Sequence, residues 1–186
     1  MPRLIVFNHV SLDGYFVDAG GEMSWAHRSD PEWDEYSSQN ASGGGTMIFG
    51  RRTYEMMAAW WPTDAAAQAF PIVARHMNEM PKLVFSRTLS AVAWQNTRLV
   101  KTSPAAEIRR LKNEPGPGLA ILGSGSIVSQ LASEGLIDEF TVVINPVVLG
   151  SGRTLFEGLK ERLALTLTSS RTFGNGNVVL TYVPRG

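Results

Sequence analysis

The stretch ILGSGSIVSQL, residues 121–131, decides the fold. Its apolar run stops at Gly123-Ser124-Gly125-Ser126, after which Ile127, Val128 and Leu131 recur at helical spacing until Gly135 closes the segment. A strand that passes into a helix through four residues with almost no side chain marks one of two things. Either the turn is tight, or something approaches the backbone closely. The same alternation runs along the chain. LIVF (4–7), TMIF (46–49), KLVFS (82–86), GLAIL (118–122) and FTVVIN (140–145) read as strands. They are mostly continuous apolar runs, as expected when both faces of a strand are covered. Between them, Tyr54, Met57, Ala58 and Trp61 keep a helical spacing that Pro62 ends. Residues 64–79 are helical, with Pro71 kinking or restarting the helix, and Ser103-Pro104 opens another with Ile108 and Leu111 inside.

Strands alternating with helices imply right-handed crossovers and a mainly parallel sheet. The tail differs: LALTLTSSRTF and NVVLTYV flank Gly174-Asn175-Gly176, which reads as an antiparallel β-hairpin. The expected architecture is α/β in one domain over 1–186, a mixed, mostly parallel central sheet with flanking helices and a C-terminal hairpin.

Composition narrows the function. At 186 residues the chain is long enough to bury roughly 70% of its unfolded surface. Lys plus Arg and Asp plus Glu number 17 each, so no global field recruits nucleic acid or an anionic membrane. There are no cysteines, which excludes disulfides, thiolate metal sites and a Cys nucleophile and fits a cytoplasmic protein. The apolar run at the start is too short for a signal peptide, and none approaches membrane-spanning length. His9, His27 and His76 have no metal-ligand spacing and read as structural or solvated.

The unusual residues fall where strands end. LIVF runs into Asn8 and then Ser11-Leu12-Asp13-Gly14; TMIF is followed by Gly50-Arg51-Arg52-Thr53; KLVF by Ser86-Arg87-Thr88; and AIL by Gly123-Ser124-Gly125-Ser126. Parallel strands share one carboxyl edge, where ligands of open α/β sheets bind. Two of these turns open helices, whose first N–H groups attract anions, and Arg51, Arg52 and Arg87 add forked donors. Each signal alone also has a bland reading as a cap or a solvated charge. Two nucleotide motifs fail: Val128 stands at the third glycine of G-x-G-x-x-G, and no G-x-x-x-x-G-K-[ST] occurs.

Five motifs in order, VSLDGYF (10–16), FGRRTYE (49–55), LVFSRTL (83–89), ILGSGSIVSQL (121–131) and NPVVLGSGRTLF (145–156), resemble the dihydrofolate-reductase-like superfamily. Within it the chain is similar to stand-alone relatives of the reductase domain of bacterial riboflavin-biosynthesis deaminase/reductases. The resemblance implies NADPH along the carboxyl edge and a homodimer. Gly50, Arg51, Arg52 and Thr53 would then meet the adenosine phosphates, with Arg51 and Arg52 nearest the 2′-phosphate and Ser86 and Arg87 flanking the adenosine end. Gly123, Ser124, Gly125, Ser126 and Ile127 would lie on the diphosphate and nicotinamide side, and Leu12, Asp13 and Gly14 would border nicotinamide and substrate, with Asn8 on the substrate side. The paired glycine that is cis in folate reductases is Gly123-Ser124 here. The zinc signature of the deaminase half is absent.

Hydride transfer to C=N or C=O leaves a heteroatom that needs a proton. In MSWAHRSDPEWDEY (23–36), the spacing Trp25-Asp30-Trp33 is similar to that around the substrate-anchoring acid of bacterial dihydrofolate reductases. The expected acid is therefore Asp30, walled by Trp25, with Asp13 and His27 as weaker proton-relay candidates. Asp30-Pro31-Glu32 also has the form of a plain helix start with Asp30 as N-cap. Trp60 and Trp61 suit a core or an interface, Gly43-Gly44-Gly45 a flexible turn, and VVLGSGRTLF (147–156) either a ligand-facing loop or a bend. The favoured expectation is an NADPH-dependent reductase of a small heteroaromatic (pterin- or aminopyrimidine-like) or carbonyl substrate. The alternatives are a non-catalytic NADP(H)-binding sensor or assembly module and a structural oligomerisation domain.

Overall fold

The computed structural model describes residues 1–185. The chain runs β1 (Leu4–Ser11), β2 (Tyr15–Val17), α1 (Pro31–Ser42), β3 (Thr46–Gly50), α2 (Arg51–Trp60), α3 (Asp64–Ala69), α4 (Pro71–Glu79) and β4 (Lys82–Phe85). It continues through β5 (Thr97–Val100), α5 (Pro104–Lys112), β6 (Leu119–Leu122), α6 (Gly125–Ser133), β7 (Glu139–Asn145), β8 (Arg153–Thr154), β9 (Leu165–Thr172) and β10 (Val178–Pro184). Eight strands form one sheet in the order β5-β4-β3-β6-β1-β7-β10-β9, and β2 pairs with β8 in a small second sheet. Strands β5 to β7 of that order are parallel; β10 is antiparallel to both β7 and β9, which makes the tail the expected hairpin.

Chain direction sorts the helices. From β1 the chain moves to β3 and β4 on one side, and later returns through β6 to β7 on the other. Right-handed crossovers travelling opposite ways place their helices on opposite faces. Accordingly Ile108 of α5 and Val128 and Leu131 of α6 pack on Leu4, Val6 and Val10 of β1, while Tyr54 of α2 and Met77 of α4 pack on Met47 and Phe49 of β3. On the α4 side of the sheet, Trp33 of α1 packs with Val143, Phe173 and Val179.

Local details refine the sequence reading. Pro71 restarts the helix, since α3 ends at Ala69 and α4 begins at Pro71. Ser103 holds the N-cap position of α5 but its side chain makes no cap bond. Strands β2 and β8 are too short, and β5 too polar, to be read in advance. No peptide is cis among the described residues, so the 123–124 bond is trans.

A charged residue sits inside the strand read from KLVFS. Lys82 is 1% exposed, and its Nζ donates to Asn78 O (3.0 Å), Met80 O (2.7 Å) and Gln95 O (3.2 Å) while lying 4.5 Å above the Trp94 ring. It therefore closes the end of α4 onto β4. Replacing Lys82 by Met keeps the stem and strips three carbonyls of their donor. The variant is expected to lose about 3 kcal/mol of unfolding free energy, the scale of a buried charged hydrogen-bond group, as read by urea denaturation.

Candidate active site

The site is built where β1, β3, β4 and β6 end. Gly123 (φ +64) and Ser124 (φ +61) both adopt the left-handed conformation, turning β6 sharply into α6. Hydrogen bonds from three other elements hold the turn. Gly123 N donates to Asn8 Oδ1 (2.7 Å), Gly50 N donates to Ser124 Oγ (2.6 Å), and Ser124 Oγ donates to Thr53 Oγ1 (2.9 Å). Three segments far apart in sequence, around residues 8, 50–53 and 123–124, are thus tied into one edge.

The small residues have intramolecular reasons to be small. A Cβ on Gly123 would stand 2.8 Å from Thr53 Cγ2, and one on Gly125 would stand 3.1 Å from both Phe16 Cε1 and Thr154 O. The hydroxyls of Ser124 and Thr53, both buried, are engaged with the protein itself. What faces outward is different. Neither Gly50 before α2 nor Ser124 before α6 caps its helix with a side chain, so the first amides of two neighbouring helices open at the edge, and Ser126 is exposed there. Ile127 is buried against Gly50.

At the far end of the edge, Arg51 Nη1 donates to Thr88 Oγ1 (3.0 Å) and its Nε to Glu55 (2.8 Å). Ser86 Oγ accepts from Thr88 N (3.2 Å) and Leu89 N (3.0 Å), shaping the turn after β4. Arg52 and Arg87 are exposed beside them. The structure therefore brings Thr53, Ser124 and the 86–88 turn onto one edge, as the sequence reading required.

The acid candidates take structural duties. The Asp13 carboxylate accepts from Ser11 Oγ (2.6 Å), Leu149 N (3.1 Å) and Gly150 N (2.8 Å). The Ser11 hydroxyl above all, then the two amides, lower its pKa to about 2. Asp13 thereby staples loop 147–150 to the β1–β2 turn. Gly14 completes that turn, with Gly14 N on Ser11 O (2.9 Å). Leu12 N bonds Val147 O (2.8 Å), and Leu12 (67% exposed) and Val148 (65% exposed) form an apolar lip. Val148 lies in the stretch VVLGSGRTLF (147–156) that the sequence offered as a ligand-facing loop or a bend, and the Asp13 bonds show which segment it borders.

Asp30 is the N-cap of α1, its Oδ1 accepting from Trp33 N (3.1 Å), while a Cβ on Gly174 would meet its Oδ2 at 2.7 Å. Trp25 lies in a 3-10 turn over Ser24–Ala26 with Nε1 on Glu22 O (3.2 Å). His27, its pKa lowered by burial, sits 6.2 Å from the Phe70 ring, so the loop before α1 reaches the α3–α4 corner. Trp61 packs in the core beside α4, and Trp60 is on the surface. Among the described residues no cluster of His, Cys, Asp or Glu has the makings of a metal site, and no helix is long and apolar enough to cross a membrane.

Comparison with known proteins follows this geometry. Residues 2–179 match the family model described as the RibD C-terminal domain. "Uncharacterized protein YyaP" of Bacillus subtilis (strain 168) is 29% identical over 180 residues, 97% of this chain and 94% of that protein. A solved "Putative riboflavin biosynthesis protein" from Shewanella sp. PV-4 superposes with a TM-score of 0.75 at 23% identity, covering 99% of both chains. A Thermotoga maritima diaminohydroxyphosphoribosylaminopyrimidine deaminase/5-amino-6-(5-phosphoribosylamino)uracil reductase superposes with a TM-score of 0.69 at 13% identity, and this chain spans 57% of its length.

Two variants probe the edge. Gly123→Ala puts a Cβ against Thr53 in a left-handed residue and is expected to lower stability by about 2 kcal/mol; Thr53→Ser, which removes the clashing methyl, should recover part of that loss in the double variant. For Asp13 the folded pKa is depressed, so its contribution is present above the ordinary value of 3.8 and is lost as pH falls through about 2. Asp13→Asn should accelerate amide exchange at Leu149 and Gly150 at neutral pH. In the unmodified protein those amides should stay protected until the pH nears 2.

Proposed function

The chain belongs to the RibD C-terminal domain family, and from that premise we propose that it is an NADPH-dependent reductase of a small heteroaromatic, pterin- or aminopyrimidine-like, or carbonyl substrate. One observation carries the reading: the Asn8–Gly123 and Gly50–Ser124–Thr53 hydrogen bonds and the Arg51–Thr88 bond align four strand ends into a single continuous edge. That edge fits a dinucleotide. It offers uncapped amides of α2 and α6 for a diphosphate and the guanidinium of Arg51, with Arg52 and Arg87 beside it, for a further phosphate. Asn8 Nδ2 is buried without a hydrogen-bond partner at the same turn, a polar atom left over by the protein's own bonds. Arg51 and Arg52 would hold the 2′-phosphate, with Ser86 and Arg87 beside the adenosine. Gly125 and Ser126 would present their amides, and Leu12, Gly14 and Val148 would shield the reduced ring from water. Bound there, NADPH supplies the hydride; the chain supplies orientation and a fixed edge.

The neighbouring riboflavin-biosynthesis names support a reductase acting on a pyrimidine-like ring. The reading includes a cytoplasmic homodimer: β9 is exposed along nearly its whole length at the sheet's edge, with Leu167 among its outward residues. A sensor or assembly module is the second reading, favoured by the commitment of Asp13 and one oxygen of Asp30 to backbone amides. NADPH binding without turnover of aminopyrimidines, pterins or small carbonyls would establish it.

The cofactor assignment is tested by titrating NADPH and NADH into the protein and into Arg51→Ala/Arg52→Ala. Loss of the charge-assisted donors should weaken NADPH about tenfold or more, worth about 1.4 kcal/mol per decade, while leaving NADH nearly unchanged. Equal affinity for both nucleotides in the unmodified protein would refute the 2′-phosphate pocket.

A further inference from the structure

Tyr54 carries a proton that the protein's own bonds leave unused. It follows Thr53 on α2 and is only 6% exposed. Its Oη accepts from two successive amides, Ala93 N (3.0 Å) and Trp94 N (3.2 Å). These donors take up the acceptor capacity of the oxygen, so the O–H bond is directed away from them. Among the described residues the hydroxyl donates to no group. A buried donor left unpaired is costly and is rare in a native fold.

A cavity of about 540 Å3 borders this group, within the size range of small-molecule sites. Tyr54, Ala93 and Trp94 form one wall, and Ala58, Pro62 and Asn78 lie across from them. Its place in the fold is set by chain direction. Strand β3 ends at Gly50, where α2 begins, so α2 runs from the carboxyl edge of the sheet toward the amino end. Asn78 closely precedes β4, and Trp94 closely precedes β5, which puts both at that amino end. One helix therefore carries the candidate active site at its first residues and this cavity along its second half.

The chemistry of the walls selects the occupant. No charged side chain lines the cavity. The Asn78 amide is already spent, since Nδ2 donates to Trp61 O (2.9 Å) and Ala74 O (2.9 Å) while Oδ1 accepts from Trp94 Nε1 (2.7 Å). Two groups stay open. One is the Tyr54 O–H. The other is Ala58 O, because the residue four positions on is Pro62, which has no N–H to give. The remaining surface is largely apolar, with the flat ring of Trp94 on one side and Pro62 on the other.

We propose that this cavity is a second binding site, separate from the strand-end edge, for a small uncharged amide that carries an aromatic ring. The Tyr54 hydroxyl donates to the carbonyl oxygen of the ligand, and the ring covers the apolar walls. The amide N–H suits the open Ala58 carbonyl. The site goes beyond the reductase reading and depends on no part of it.

The test uses the full chain, with acetanilide as probe and N-ethylaniline, in which a methylene replaces the carbonyl, as its match. In 1H–15N spectra acetanilide should give saturable shifts at the Ala93 and Trp94 amides, which hold the Tyr54 oxygen, with or without NADPH present. It should bind about tenfold or more tighter than N-ethylaniline, the scale of one buried donor left unpaired. Tyr54→Phe keeps its ring beside Trp94 (6.4 Å between centroids) and should erase that preference. Ala58→Leu leaves the hydroxyl in place and fills the cavity; it should abolish binding of both compounds while the spectrum stays that of a folded chain. Shifts confined to other residues, displacement of acetanilide by NADPH, or the absence of any saturable shift overturns the site. So does a preference that survives in Tyr54→Phe, or undiminished binding to Ala58→Leu.

Discussion

The molecule turns on two consecutive left-handed residues. For Gly123 the conformation is free of side-chain penalty; for Ser124 it costs on the order of 1 kcal/mol. Ser124 keeps it because its hydroxyl accepts from Gly50 N and donates to Thr53, and because Asn8 takes the Gly123 amide. Each partner comes from a different element. The turn is consequently a four-way junction of β1, β3, α2 and α6, and its shape is set by the protein before any ligand arrives. The glycines and serines that suggest a phosphate cradle in the sequence serve first to let the chain pack on itself.

The strand order gives the junction its place. The chain leaves β1 in one direction and returns past it in the other, so helices α2 to α4 cover one face and α5 and α6 the opposite face. Where the direction reverses, the helix layers diverge and the strand ends are left uncovered. Asn8 and His9 sit at that reversal, one on each face of β1. Alternation along a strand thus lets one short segment serve two sides of the sheet: Asn8 anchors the turn, and His9 packs edge-on to Trp33 of α1.

How much of this was legible in the sequence follows from which forces were local. The interior strands β1, β3, β4, β6 and β7 announced themselves because both faces are covered and their residues are nearly all apolar. Strand β5 did not: at the sheet edge, Thr97-Arg98-Leu99-Val100 is half polar and its partner lies on one side only. Strand β9 is as polar and exposed, yet it was found through the Gly174-Asn175-Gly176 turn, a local signal. Site residues divide the same way. Helix-opening Gly50, Ser124 and Asp30 are readable because caps are short-range. The contact of His9 with Asn145 and the staple by Asp13 on Gly150 join partners more than a hundred residues apart, whose approach only the tertiary fold creates.

The same distinction bears on the chemistry. Asp13 is ionised by three donors, and Asp30 gives one oxygen to the first turn of α1. Carboxylates bound in this way hold backbone in place, and under the reductase proposal that fixed backbone would set the approach of donor and acceptor atoms. Loop 147–150, fastened through Asp13 to the β1–β2 turn, keeps the apolar lip of Leu12 and Val148 beside the strand-end edge. The acids nearest the edge therefore act through geometry, fixing the backbone that borders it.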